Sequence, residues 1–350
     1  MKYEDSAAKA DLIAAARKTA SVYVTKEAPG ADDKPEKILL DAGEKTAKDM
    51  LEAYHKKMAK FTTIPLDREG KAMRIRPGEW TVVSGHTGTG KTTYLRQAVC
   101  GFLKDGKNVF VATFESDPED YLIDLAGTAA GVDIPNEKQL QCFLDTYGSQ
   151  LKIWGLIGVA EPRKILAQVR LLADAGLDIA LIDNLMLLDI PADDIEEQRK
   201  FTALLAATVL AKQVHIILVA HPKKPLSADQ DPSTSDIAGS SNIGNLAFNV
   251  LFIRRGPQGP PGMQVTPMQL WILKRRTRIP GGFMGHIEGY YYGEQSQFHL
   301  DSEQRSPTFY LPAEFYNATG LTEDIPEHLI NPNAFKVRDD EPVKAPWDGF

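Results

Sequence analysis

The stretch SGHTGTGKTTYLRQ, residues 84–97, decides how the rest of the chain is read. It follows the apolar run Trp80-Thr81-Val82-Val83 and packs three glycines, a lysine and three threonines into eight positions. Gly85 to Thr92 fits G-x-x-x-x-G-K-[ST], the pattern of a loop whose backbone N–H groups converge on phosphate. The functions expected from the pattern are specific. Gly85, Gly88 and Gly90 let the backbone close around a β-phosphate, and Lys91 brings a point charge to the β- and γ-phosphates. The Thr92 hydroxyl ligates Mg²⁺, Thr93 follows it in the first helical turn, and the helix starting near Lys91 adds its positive dipole end.

Outward from this loop the texture is that of an α/β domain. Apolar runs at 80–85, 108–115, 179–184, 215–221, 249–255 and 270–275 alternate with helical segments. The first four are nearly continuous in Val, Ile and Leu, as strands buried on both faces of a mainly parallel sheet must be. The expected P-loop core spans 62–312. Residues 1–61 read as a helical extension: an Ala-rich helix at 5–19, a Pro/Gly/charge linker at 27–37, and a second helix at 43–60. Met50, Leu51, Tyr54 and Met58 stripe one face of that second helix. Residues 313–350 read as a partly disordered tail rich in acids and aromatics, among them Asp339, Asp340, Glu341, Trp347, Asp348 and Phe350.

Composition excludes several classes. The 350 residues carry a net charge of −7, with 43% hydrophobic and 25% charged residues, which suits a soluble globular protein without a uniformly basic surface. Two cysteines, Cys100 and Cys142, cannot supply a four-ligand zinc site or a disulfide framework. No apolar run reaches membrane-spanning length, and the N-terminus lacks the apolar centre of a signal peptide, so the expected location is the cytoplasm.

A P-loop NTPase needs a carboxylate at the end of a buried strand to support Mg²⁺, and Asp183, closing DIALID, is placed for it. Asn184 follows where many ring ATPases carry a water-activating Glu, so the base must lie elsewhere. Glu115, ending NVFVATFE after the phosphate-loop helix, is the candidate. Asp117 and Glu119 are rivals, but beside Pro118 they suit a helix cap. His221 ends HIILVAH, where a polar side chain can bond the γ-phosphate.

Taken in order, RPGEWTVVSGHTGTGKTT, FVATFES, ALIDNLMLL, HIILVAHPKK, SDIAGSSNIGNLAFNVLFIRR and ILKRRTR…GG resemble the helicase domain of DnaB-type replicative helicases. The likeness is to the phage primase-helicase and Twinkle branch, over about 62–300. It implies a RecA-like core and a homo-hexameric ring moving 5′→3′ on single-stranded DNA by hydrolysis of ATP or dTTP with Mg²⁺. By that resemblance Lys91 and Thr92 hold phosphate and metal, Asp183 supports the metal, Glu115 is the base and His221 senses the γ-phosphate. Lys274 and Arg276 reach the neighbouring subunit's nucleotide, Arg276 as arginine finger; the other reading of Arg275, Arg276 and Arg278 is a solvated basic patch. The DNA loop is expected between His221 and about Ser241, with Lys223, Lys224, Gly239, Ser240, Ser241 and Asn242 as phosphate contacts. Ala238 stands where phage relatives often have Arg. Arg254 or Arg255, with one of Tyr290–Tyr292, is expected to stack on the nucleobase, and Arg255 is taken as the nucleotide contact.

No primase or zinc-binding domain is expected in the residues before the core, so a primase would be a separate protein or the ring would work without one. The tail would dock on such partners: primase, DNA polymerase or single-strand binding protein. Other classes share the phosphate loop. A RecA-like recombinase or repair ATPase forms filaments. A small-molecule kinase carries a basic lid, for which 120–170 offers no Arg-rich segment. A nucleotide-gated loader binds without turnover.

Overall fold

The computed structural model describes residues 46–67, 69–114, 116–155, 160–188, 190, 194–223, 230–237, 241–256, 265–302, 308 and 310–312. The helix expected at 5–19, the linker at 27–37 and the tail beyond 312 lie outside them, as do Glu115, Lys224, Ala238, Gly239 and Ser240. The described residues through Tyr310 fall in one compact unit, and Leu311 and Pro312 in a second.

A nine-stranded sheet runs through the first unit in the order β3-β2-β4-β5-β1-β6-β7-β8-β9. Six strands are parallel: β1 (Trp80–Ser84), β2 (Val109–Thr113), β3 (Leu151–Gly155), β4 (Ile179–Asp183), β5 (His215–Ala220) and β6 (Asn249–Arg255). The chain then doubles back through antiparallel β7 (Thr266–Arg275), β8 (Gly285–Tyr292) and β9 (Gln297–His299). β1, β2, β4 and β5 are buried along their whole length, as their continuous apolar sequence demands. β3 is an edge strand that is not among the apolar runs of the sequence, and only its alternate residues are buried.

Helices α1 (Ala47–Ala59), α2 (Lys91–Lys104), α3 (Pro118–Ala130), α4 (Glu137–Tyr147), α5 (Pro162–Asp174), α6 (Ile195–Lys212) and α7 (Ser241–Leu246) fill the connections. Their starts are written in the sequence. Thr46 forms a capping box with Asp49, which places the start of α1 four residues after the expected 43. Asp117 caps α3 ahead of Pro118 by accepting from the Glu119 N–H, the role expected for this acidic pair. On α1 Met50, Leu51 and Tyr54 are exposed.

The carboxyl ends of β1, β4, β5 and β6 lie side by side. Ser84 registers with Ala220 and with Phe252, and Ile182 with Leu218. The loops leaving those ends therefore share one edge of the sheet, the crevice where open α/β folds bind ligands.

The opposite edge is closed by a buried polar network. His215 sits between the Arg76 carbonyl on Nδ1 (2.7 Å) and the Thr81 hydroxyl on Nε2 (2.9 Å). Asn249 donates to Thr81, and Thr277 donates to Glu79. Burial pulls the His215 pKa down to about 4, against the bond to the Arg76 carbonyl. The folded state therefore resists a proton that the unfolded chain accepts near pH 6.5. Stability is expected to be full above pH 6.5 and to fall by about 3 kcal/mol as the pH drops towards 4. Denaturant melts of parent and His215→Gln across that range check this: the substitution removes the pH slope assigned to His215.

Candidate functional site

The phosphate loop joins β1 to α2, and two glycines show why it has no other sequence. Gly85 has φ +153°, and a Cβ there would lie 2.2 Å from the Ile253 carbonyl oxygen on β6. Gly90 has φ +85°, and its Cβ would lie 3.1 Å from Phe298 Cζ on β9. The loop closes on itself through Thr89, whose hydroxyl donates to the His86 carbonyl at 2.8 Å. Gly85→Ala is expected to cost about 1–3 kcal/mol, because β6 backbone rather than a movable side chain blocks the new methyl. A lowered thermal midpoint together with weakened nucleotide binding would check it.

Lys91 is buried at 8% exposure, and its ammonium donates to the Gly85 and His86 carbonyls at 2.7 and 2.8 Å. The cation thus sits over the mouth of the loop. No side chain caps the start of α2 and no acid lies in its first turn, which leaves first-turn N–H groups for an anion. Arg255, at the end of β6, donates from Nη2 to the Gly88 carbonyl at 3.1 Å. Thr93 points along the helix instead, where its hydroxyl accepts from Arg96.

Thr92 and Asp183 meet. The Thr92 hydroxyl donates to Asp183 Oδ2 at 3.4 Å, and Asp183 is buried at the end of β4. The donor set suits Mg²⁺, which keeps waters and takes one or two protein ligands plus phosphate oxygens. Among the described residues no three His, Cys, Asp or Glu cluster as an all-protein cage would need. Near Asp183 the buried Tyr121 hydroxyl on α3 has no hydrogen-bond partner. Burial drives the Tyr121 phenol well above its ordinary pKa, and the nearby Asp183 carboxylate adds to the rise.

His221 lies one residue past the end of β5, not on it. Its Nε2 faces Asn184 Nδ2 at 3.2 Å. Asn184 is 1% exposed and follows Asp183, so His221 stands beside the carboxylate's strand end. In the sequence Asn184 counts only as a missing Glu. Beyond His221, Lys223 N donates to the Asp236 carbonyl and Pro222 bridges to Ile237, closing the base of the loop between them. Of the expected DNA contacts, Lys223 is exposed, and Ser241 and Asn242 open α7. Lys224, Gly239 and Ser240 lie outside the described residues, as does Glu115, two residues past the observed end of β2 at Thr113.

Lys274 and Arg276 are not at this edge. Arg276 N donates to the Phe248 carbonyl, and Phe248 N donates to the Trp80 carbonyl. Arg276 therefore stands at the start of β1, about 13 Å of strand away from the loop that leaves its end. An irregularity in the β6–β7 register next to Leu273 turns Lys274 so that its ammonium donates to the Gly244 carbonyl of α7 at 2.9 Å. Arg276 Nη2 donates to the Asn245 carbonyl at 2.7 Å and lies over the Phe248 ring. Partial burial, reinforced by neighbouring Arg276, lowers the Lys274 pKa.

Among themselves the residues expected to stack on a nucleobase make other contacts. Arg254 lies over the Trp271 ring, 5.0 Å from its centroid, and bonds Gln269. Tyr291 packs on Phe298 and Tyr292 meets His299 edge-on. The reason is register: β6 pairs with β7, so Arg254 faces β7 before any tyrosine of β8. Arg255 alone of the two arginines reaches the phosphate loop.

Neither a protein-family model nor a curated protein sequence matches the chain. Solved structures do. The ATPase domain of one helicase superposes with a TM-score of 0.58 at 16% identity, over 72% of this chain and 97% of that one. A DnaB-like replicative helicase, solved in a study of its interactions with primase, gives 0.59 at 17% identity, over 73% and 68%. The chain has the α/β RecA-like fold of these ATPase domains. Among the described residues no helix is long and apolar enough to cross a membrane.

Proposed function

We propose that the chain is the motor domain of a DnaB-like replicative helicase: a hexameric ring that hydrolyses ATP or dTTP with Mg²⁺ to move 5′→3′ along single-stranded DNA. The observation that carries this reading is the split between the two edges of the sheet. Lys91, Thr92, Asp183, His221 and Arg255 gather at the carboxyl edge, while Lys274 and Arg276 sit at the other. A nucleotide on the phosphate loop is out of reach of its own chain's Arg276, which in this reading serves the nucleotide of a neighbour. Head-to-tail contacts that close generate a ring.

In this reading Lys91 and the loop N–H groups bind the phosphates, and Thr92 and Asp183 hold the metal, which neutralises charge on the β- and γ-phosphates. Glu115 orients the attacking water and His221 donates to the γ-phosphate. The neighbouring Arg276, with Lys274, meets the charge that develops on transfer. Lys223, Lys224, Gly239, Ser240, Ser241 and Asn242 track the DNA backbone, and the tail beyond 312 recruits a primase, polymerase or single-strand binding protein.

Mass measurement with and without nucleotide, beside an unwinding assay on forked duplexes of both polarities, tests the whole. Closed rings and unwinding by a 5′-loaded ring are expected. Long filaments would favour a recombinase, and full activity of the isolated monomer would overturn the proposal.

A further inference from the structure

Asn184 does more than fill a buried position. Its side chain is pinned at both ends. The carbonyl Oδ1 accepts from the Met186 N–H at 2.9 Å, the N-cap bond of the short helix Leu185–Leu187. A backbone N–H can only donate, so the oxygen must face it and the amide nitrogen must face the other way. That nitrogen is the one 3.2 Å from His221 Nε2. An amide N–H can only donate too, so Nε2 must offer a lone pair, and the ring proton sits on Nδ1. The backbone of residue 186 thus fixes, through Asn184, which face of His221 is a donor.

We propose that Asn184 is the positioning residue for His221, holding it as the neutral Nδ1–H tautomer so that it presents an N–H donor to a phosphate oxygen. This rests on the reading of His221 as the group that meets the γ-phosphate. An oxygen of a phosphate has only lone pairs to offer, so the opposite tautomer would turn a lone pair towards it and repel it. A carboxylate at 184 reverses the demand: it accepts from Nε2, which must then carry the proton, and the ring is driven to the other tautomer or to imidazolium. Side chains that fix the tautomer of a metal-bound histidine are worth about 10–100-fold in activity, and the same scale is expected here.

The test uses Asn184→Asp, which keeps the shape and the bond from Met186 N–H, with Asn184→Ala as a second variant and circular dichroism melts to confirm folding. In chain labelled with ¹⁵N-histidine, long-range ¹H–¹⁵N correlations distinguish protonated from unprotonated ring nitrogens, and the spectrum of His221→Gln identifies the His221 signals. Expected in the parent is an unprotonated Nε2 and a protonated Nδ1; Asn184→Asp protonates Nε2, and Asn184→Ala gives a mixture. Nucleotide turnover is expected to fall about 10–100-fold in Asn184→Asp alone, but less than about threefold when His221→Gln is already present, because a carboxamide can turn to suit either neighbour. A protonated Nε2 in the parent, a spectrum that Asn184→Asp leaves unchanged, or equal losses in both backgrounds would overturn the proposal. A chain without any turnover would sink the motor reading instead, and the tautomer measurement would still decide this one.

Discussion

Arg276→Ala is expected to lower nucleotide turnover by about a thousandfold while leaving nucleotide affinity and folding nearly intact. A cation supplied to a transferred phosphoryl from a neighbour is worth about 10³–10⁵ in rate. Little in the chain's own fold depends on the guanidinium: it is exposed, bonds one carbonyl and lies over Phe248, a contact worth about 0.5–1 kcal/mol. The backbone bond from Arg276 N to Phe248 O survives the change. The decisive form of the experiment mixes two inactive chains, Arg276→Ala and Lys91→Ala. In a one-to-one mixture roughly one interface in four pairs an intact phosphate loop with an intact cation, so activity is expected to return towards that fraction. Two inactive chains that never complement each other would mean that both groups serve the same chain, against the geometry of the sheet.

Lys91→Ala is the second large effect, with turnover expected to fall by about 10²–10³. Lys91 is buried, so its charge acts across a medium of lower dielectric than water, where a preorganised cation is worth most. Its ammonium is already aimed, by the Gly85 and His86 carbonyls, at the mouth of the loop. Unlike Arg276→Ala, this substitution removes a contact made in the bound state as well, so affinity for nucleotide is expected to fall together with turnover. Equilibrium binding of a fluorescent nucleotide separates the two variants: weakened for Lys91→Ala, unchanged for Arg276→Ala. Normal hydrolysis by Lys91→Ala would remove the phosphate loop from the mechanism altogether.

What can be read from the chain alone divides by distance along it. The phosphate loop is legible because its whole chemistry lies within eight consecutive residues. The central strands are legible because burial on both faces leaves unbroken apolar runs; the run 249–255 coincides with β6 at both ends, Asn249 and Arg255. β3 escapes such a reading because an edge strand buries only alternate residues of LKIWG. β8 escapes it because GHIEGYYY mixes glycine and charge, and β9 because three residues carry no period. The Thr92–Asp183 pair is within reach, since both follow a rule of position: one after the loop lysine, one at a strand end. Asn184 holding His221 is not, because it depends on β4 and β5 being neighbours in the sheet. Nor is the location of Arg276, which depends on β7 running antiparallel to β6. The ring that Arg254 does lie over, Trp271, is likewise set by β-register.

The last strand of the sheet bears directly on the first loop. Gln97, on α2, clasps the main chain of Phe298 twice, taking its N–H at 2.7 Å and giving to its carbonyl at 3.0 Å, while the Phe298 ring stands against Gly90 and Tyr94. The segment that seats the phosphate helix is thus translated some two hundred residues after it. A ribosome that has released Lys91 has yet to make the wall behind it. Truncated products that stop short of Phe298 lack that seat.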